Sequence, residues 1–162
     1  MKYRRMRIEM ESPEEYGYSS IRCNLAESSF ADQSPDFGKL IPPGLKLAYN
    51  DHRGLPELRE LIAAMYPDTL PSDVLVTAGA SSALFIVQTA LLEKGKGLMV
   101  QFPNYATLLE TPYAIGAEIN KLEMDFDAGF EPTVPTPKEV KDKKIALISF
   151  TSPHNPTGSV LS

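Results

Sequence analysis

Apolar positions along this chain fall into blocks whose rhythm changes from one block to the next. Val74 to Thr77 is a short β-branched, apolar run, and Leu98 to Phe102 and Ile145 to Phe150 are near-continuous apolar runs. Runs of that length suit buried strands of a parallel sheet. Glu118 to Met124 alternates, the rhythm of a strand with one wet face. Elsewhere the spacing turns helical. Leu58, Leu61, Ile62 and Met65 share one face of a helix entered near Pro56 and ended by Pro67. The stretch from Ala80 to about Glu93 is rich in Ala, Leu, Ile and Val, with Gly95 and Gly97 punctuating its end. A third helix runs from Ala106 to about Ala114, interrupted at Pro112.

The order strand–helix–strand–helix–strand predicts an α/β fold with a parallel sheet covered on both faces. The flanking chain is less regular. Ser12 suits an N-cap and Pro13 a first helical position, so a short helix is expected there. Residues 21–47 carry Pro35, Gly38, Pro42, Pro43 and Gly44 and read as extended, turn-rich chain. Residues 125–144 read as a Pro-rich surface connector, acidic and then basic.

In parallel sheets, ligands bind beyond the carboxyl ends of the strands. Three segments come directly after strand ends here. Gly79 to Ser82 starts the central helix, where free backbone N–H groups and the helix dipole favour an anion by roughly 0.3–1 kcal/mol. Ala80, Ser81 and Ser82 have little bulk, so a phosphate can approach the backbone, and Ser81 and Ser82 can add hydroxyl hydrogen bonds. The same segment equally suits a capped core helix without a ligand. It is neither G-x-G-x-x-G nor a P-loop, which argues against a nucleotide as first guess. Pro103 to Tyr105 brings an aromatic ring, and Ser152 to Gly158 brings a carboxamide. Their convergence points to a pocket with an anion-binding turn, a ring and an amide.

Composition narrows the setting. At 162 residues, with 43% hydrophobic and 23% charged, the chain resembles an ordinary soluble domain with a real core. Its net charge of −5 with scattered basic residues argues against nucleic acid or an anionic membrane as partner. No apolar run reaches membrane-spanning length, and the basic start, Met1 to Arg7, lacks the apolar region of a secretory signal. The one cysteine, Cys23, allows no internal disulfide, which fits a cytoplasmic protein. Cys23 sits in an apolar–polar alternation and is expected to pack. His52 and His154, the only histidines, have no metal-ligand spacing, so no metal is expected.

Four motifs then appear in order. Tyr49 precedes Gly54-Leu55 and Leu58-Arg59; Thr77-x-Gly79-Ala80-Ser81 comes second; then Phe102-Pro103-x-Tyr105; then His154-Asn155-Pro156-Thr157-Gly158. Together they resemble the class I/II, fold-type-I aminotransferases that use pyridoxal 5′-phosphate (PLP). The resemblance covers about Tyr49 to Gly158. It implies the three-layer α/β/α large domain of PLP-dependent transferases, incomplete here, over residues 49–162, with an N-terminal arm over 1–48. It further implies that the Ala80 and Ser81 amides, with a hydroxyl of Ser81 or Ser82, hold the PLP phosphate. Tyr105 would stack on the pyridine ring, and Asn155 would donate to the phenolic oxygen. Tyr49 would reach the phosphate of a neighbouring subunit, which implies a homodimer. Pro156, Thr157 and Gly158 would give shape rather than chemistry. The match around Leu25 to Ser28 is loose, and Glu27 is a candidate for substrate contact at most.

The family's chemistry also uses a Schiff-base lysine, an aspartate on the pyridine nitrogen and a carboxylate-gripping arginine, all after the Asn-Pro-Thr-Gly motif. No catalytic residue is therefore assigned in this chain. It is expected to be the N-terminal portion of an aminotransferase acting on an amino acid and a 2-oxo acid, a fragment that is inactive by itself. In the family, later strands are inserted beside the early ones, so strands here are expected to lack neighbours. The alternatives are a PLP-dependent lyase, decarboxylase or oxidase on the same scaffold, a non-catalytic binding or pairing module, and a generic phosphate-binding α/β domain.

Overall fold

The computed structural model describes residues 3–6, 10–25, 34–131 and 133–161. It divides into two units, Met1–Glu11 with Ala78–Ser162, and Ser12–Thr77. The packing thus divides after Thr77, whereas the family resemblance groups Tyr49 to Thr77 with the sheet-forming chain beyond it.

Among its described residues the Ser12–Thr77 unit carries three short α-helices, α1 (Pro13–Tyr16), α2 (Phe37–Leu40) and α3 (Pro56–Ala63). Pro13 opens α1 as its sequence suggests, but the Ser12 side chain makes no capping bond. The turn-rich stretch holds α2 because the Asp36 carboxylate accepts from the Gly38 amide and caps its start. Helix α3 departs from its amphipathic pattern. Leu61 and Met65 are 69% and 73% exposed, while Arg59 is buried at 6%. Its guanidinium has three acceptors: Nη2 reaches Asp51 Oδ2 at 3.0 Å, Nε the Gly54 carbonyl at 3.2 Å, and Nη1 the Pro71 carbonyl at 3.0 Å. A buried charge is tolerated only when so surrounded.

Two further expectations fail in this unit. Val74 to Thr77 forms no strand; it is extended chain whose Val76 N–H donates to the Arg53 carbonyl at 3.0 Å. A strand requires a hydrogen-bonded neighbour, and none flanks it among the described residues. That contact does fix Gly54, where φ is +104° and a Cβ would lie 2.5 Å from Val76 Cγ2. Cys23 is exposed rather than packed.

The other unit is a partial α/β fold. Its elements are α4 (Ala80–Leu91), β1 (Gly97–Phe102), α5 (Ala106–Ile115), β2 (Glu118–Glu123), α6 (Pro137–Asp142) and β3 (Ile145–Ser149). The three strands form a parallel sheet in the order β2-β1-β3. Gly97 pairs with Glu118 and Phe102 with Glu123; on the other side Leu98 pairs with Leu147 and Val100 with Ser149. Gly97 opens β1 rather than closing the preceding helix, because a Cβ there would meet the Lys143 carbonyl at 2.6 Å.

Strand β1 is the centre of the core. Leu98 and Val100 are fully buried and cluster with Leu92, Leu108 and Leu109. Each such side chain contributes about 1.5–3 kcal/mol on burial. Met6 packs on this cluster, and Arg4 Nε pairs with Glu110 of α5 at 2.8 Å, so the described N-terminal residues belong with the sheet. Helix α4 turns Gln88 inward, at 1% exposed, while Phe85, Ile86 and Leu91 are 42–51% exposed. The 125–144 stretch is more than a connector. It contains α6, started by a reciprocal cap in which the Glu139 amide donates to Thr136 Oγ1 at 3.3 Å and the Thr136 amide to Glu139 Oε2 at 2.9 Å. Among the described residues no helix is long and apolar enough to cross a membrane.

Candidate functional site

Because β1 and β3 run parallel, their carboxyl ends emerge on the same side. The chain leaving β1 passes the cis Phe102–Pro103 bond and reaches Tyr105, which N-caps α5. The chain leaving β3 continues through Phe150, Thr151 and Ser152 to Asn155. These exits and α4 and α5 enclose an open pocket of about 410 Å³. Its lining comprises Tyr105 and Leu108 of one exit and Ser149, Phe150, Thr151, Ser152 and Asn155 of the other, closed by Leu84 of α4. One wall is thus an aromatic ring and aliphatic side chains, and the other presents hydroxyls and a carboxamide.

The anion-binding turn lies beside this pocket. Gly79 N-caps α4 with φ +86°, and nothing lies within 4 Å of where its Cβ would be. Only glycine holds that conformation without strain, and the open space leaves the first-turn amides of Ala80, Ser81 and Ser82 approachable; by helix geometry they have no intrahelical acceptor. Ser81 Oγ sits 3.3 Å from the Tyr105 hydroxyl, which ties the turn to the pocket wall. Ser82 differs: its hydroxyl donates back to the Ala78 carbonyl at 2.9 Å. Tyr49 lies in the Ser12–Thr77 unit, where its side chain is fully exposed. Glu27 falls outside the described residues.

The loop carrying Asn155 is knotted by its own polar groups. His154, 3% exposed, donates its amide to the Ser159 carbonyl and accepts at its carbonyl from Gly158 N–H, both at 2.7 Å. Its Nδ1 lies 2.9 Å from Thr157 Oγ1, which is 3.0 Å from Ser159 Oγ. Gln101 and Asn104, neither singled out from the sequence, stand immediately behind the pocket wall. The available signal was Gln101 itself, the one polar residue in the Leu98–Phe102 run.

The match to known proteins covers the same segments. The model of the family described as aminotransferase class I and II matches residues 43–162. The chain belongs to that family. An aspartate aminotransferase of Thermotoga maritima is 32% identical over 152 residues, covering 89% of this chain and 40% of that protein. A PLP-dependent aminotransferase of Streptococcus suis superposes with a TM-score of 0.64 at 26% identity, over 77% of this chain and 33% of that one. An aspartate aminotransferase variant of Thermus thermophilus does so with a TM-score of 0.61 at 30% identity, over 70% of this chain and 32% of that one. The chain therefore spans well under half the length of the relatives it matches. The fold is that of the PLP-dependent aminotransferases, in part.

Proposed function

We propose that the pocket receives PLP and that this chain is the cofactor-cradling portion of an aminotransferase acting on an amino acid and a 2-oxo acid. The observation that carries this reading is the convergence of Tyr105, Asn155 and, through its 3.3 Å contact, Ser81 on one cavity. The residues fit the cofactor's three functional edges. The free amides of Ala80 and Ser81 suit a phosphate dianion, with the Ser81 hydroxyl as a further donor and Ser82 contributing its amide. The Tyr105 ring offers a face for stacking on the pyridine. The Asn155 amide, held by the His154–Ser159 knot, would donate to the phenolic oxygen and stabilise its anionic form. When bound, PLP supplies the electron-withdrawing ring that stabilises charge developing at an amino acid's α-carbon. Leu84 and Leu108 would keep one side of the ring dry.

Among the described residues no lysine lines the pocket. The 162-residue chain alone is therefore expected to bind the cofactor without exchanging amino groups. The exposed Tyr49 is assigned to a second subunit's phosphate site, in a cytoplasmic homodimer. The family match, rather than the pocket, favours amino transfer over elimination, decarboxylation or oxidation, because these residues serve the cofactor.

The test is a titration with pyridoxamine 5′-phosphate, which keeps the phosphate, ring and phenolic oxygen but lacks an aldehyde that reacts with surface lysines. Saturable binding is expected, weakened about tenfold or more in Asn155→Ala, the usual cost of a lost hydrogen bond to a charged group. Absence of saturable binding by the unaltered chain, or amino exchange catalysed by it, overturns the proposal.

A further inference from the structure

Strand β1 ends its ladder with β3 at the Val100–Ser149 pair. Two residues further on, the Thr151 amide has no ladder acceptor from β1. It donates instead to Oε1 of Gln101, a side chain with no solvent exposure in the centre of the sheet. The carboxamide thus continues the pairing by one step and fixes the chain as it enters the pocket wall. Asn104, 8% exposed, acts on both exits. Its Oδ1 accepts from the Tyr105 amide at 2.8 Å and lies 3.4 Å from Thr151 Oγ1. Thr151 is therefore held at its amide by Gln101 and at its hydroxyl by Asn104. Asn155 comes four residues later, clamped from its far side by the His154–Ser159 knot.

Neither Gln101 nor Asn104 lines the cavity, yet each holds a residue that does. A glutamine in a buried strand costs more than a leucine unless it is matched, and its Nε2 has no partner among the described residues. Packing alone would favour an apolar residue. We propose that Gln101 and Asn104 are positioning residues for the pocket: together they set the spacing between Tyr105 and Asn155. That the occupant is PLP rests on the reading above; that the two side chains set this spacing does not.

The experiment uses the full chain, labelled with 15N, in four forms: unaltered, Gln101→Met, Asn155→Ala and both together. Methionine keeps length and apolar bulk but cannot accept from Thr151. In Gln101→Met the Thr151, Tyr105 and Asn155 amide signals are expected to move while those of Leu98 and Ile119 stay. Affinity for pyridoxamine 5′-phosphate is expected to fall about tenfold, and by less than about threefold when Asn155 is already alanine. A side chain that merely stabilises the sheet gives no such coupling. If the three signals stay in place, move together with the whole sheet, or the two losses simply add, the proposal is overturned. If the unaltered chain does not bind while the three signals move as described, the cofactor reading falls and the positioning role stands. Should Gln101→Met fail to fold, Asn104→Ala carries the same measurements, with Tyr105 as the signal that must move.

Discussion

The two units are held together in opposite ways. In the Ala78–Ser162 unit, a strand with fully buried Leu98 and Val100 sits at the centre of an aliphatic cluster. In the Ser12–Thr77 unit, large apolar side chains such as Leu61, Met65, Leu70 and Leu47 are exposed, and the most buried side chain of α3 apart from Ala63 belongs to an arginine. One unit rests on apolar area removed from water. In the other, the Arg59 guanidinium joins the Asp51–Gly54 loop, α3 and the Pro71 turn. The contrast teaches that a helix with a good amphipathic pattern still needs a surface to bury against. Where that surface is missing, directed polar bonds decide which residue turns inward.

The largest effect is expected from Leu98→Ala. Truncating a fully buried leucine at the centre of β1 should destabilise its unit by about 2–5 kcal/mol, the transfer and cavity costs combined. Amide exchange of β1 and β2 monitored in urea measures it; a loss well under 1 kcal/mol would remove the distinction drawn above. Arg59→Met comes next. It keeps the aliphatic stem but takes the guanidinium donor from the Gly54 carbonyl and one of two donors from the Pro71 carbonyl, and leaves Asp51 with the Arg53 amide but without its ionic partner. Loss of about 1–3 kcal/mol of protection is expected at the Gly54 and Val76 amides. Unchanged exchange at those amides would show that the unit does not depend on its arginine.

Much of the sheet unit was readable because its signals are local. The apolar run at Leu98, the alternation at Glu118 and the small-residue start at Gly79 each carry their own period, and each became the expected element; the Ile145 run became a strand too, but at the edge of the described sheet and half exposed rather than buried, with Ile148 38% exposed. Val74 to Thr77 has an equally good run and did not, because pairing depends on a neighbour elsewhere in the chain. Helix α6 had a visible signal in Thr136-x-x-Glu139, masked by the prolines around it. At the pocket, Tyr105 and Asn155 were legible through their motifs, and Ser81 through the helix start. The division of labour between Ser81 and Ser82 was not, since both have the same chemistry and only the backbone decides which hydroxyl turns back to Ala78. Arg59 was visible as a motif letter but not as a buried hub, because its three acceptors come from separate turns.

The smallest effect sharpens the comparison by placing one reporter in each unit. The Asp51 carboxyl is held below the ordinary range, first by accepting the Arg53 amide and then by the Arg59 and Arg53 charges, against a desolvation penalty. The Glu139 carboxyl is likewise lowered, first by the Thr136 amide and then by its hydroxyl, again against desolvation and with help from Lys143. A carboxyl whose folded value is depressed stabilises the fold above its unfolded pKa, and that contribution is lost as pH falls through the folded value. These two contributions should therefore be complete at neutral pH and be lost progressively as pH falls below about 5. The Arg53 amide signal should titrate with a midpoint below about 3.9, the ordinary aspartate value, and the Thr136 amide below about 4.3, that of glutamate. Because the Arg59 charge is one cause of the Asp51 shift, Arg59→Met should move the Arg53 midpoint upward and leave the Thr136 midpoint where it was. An Arg53 midpoint indifferent to Arg59 would mean that the loop's own amide alone holds Asp51 ionised, with the guanidinium serving the two carbonyls.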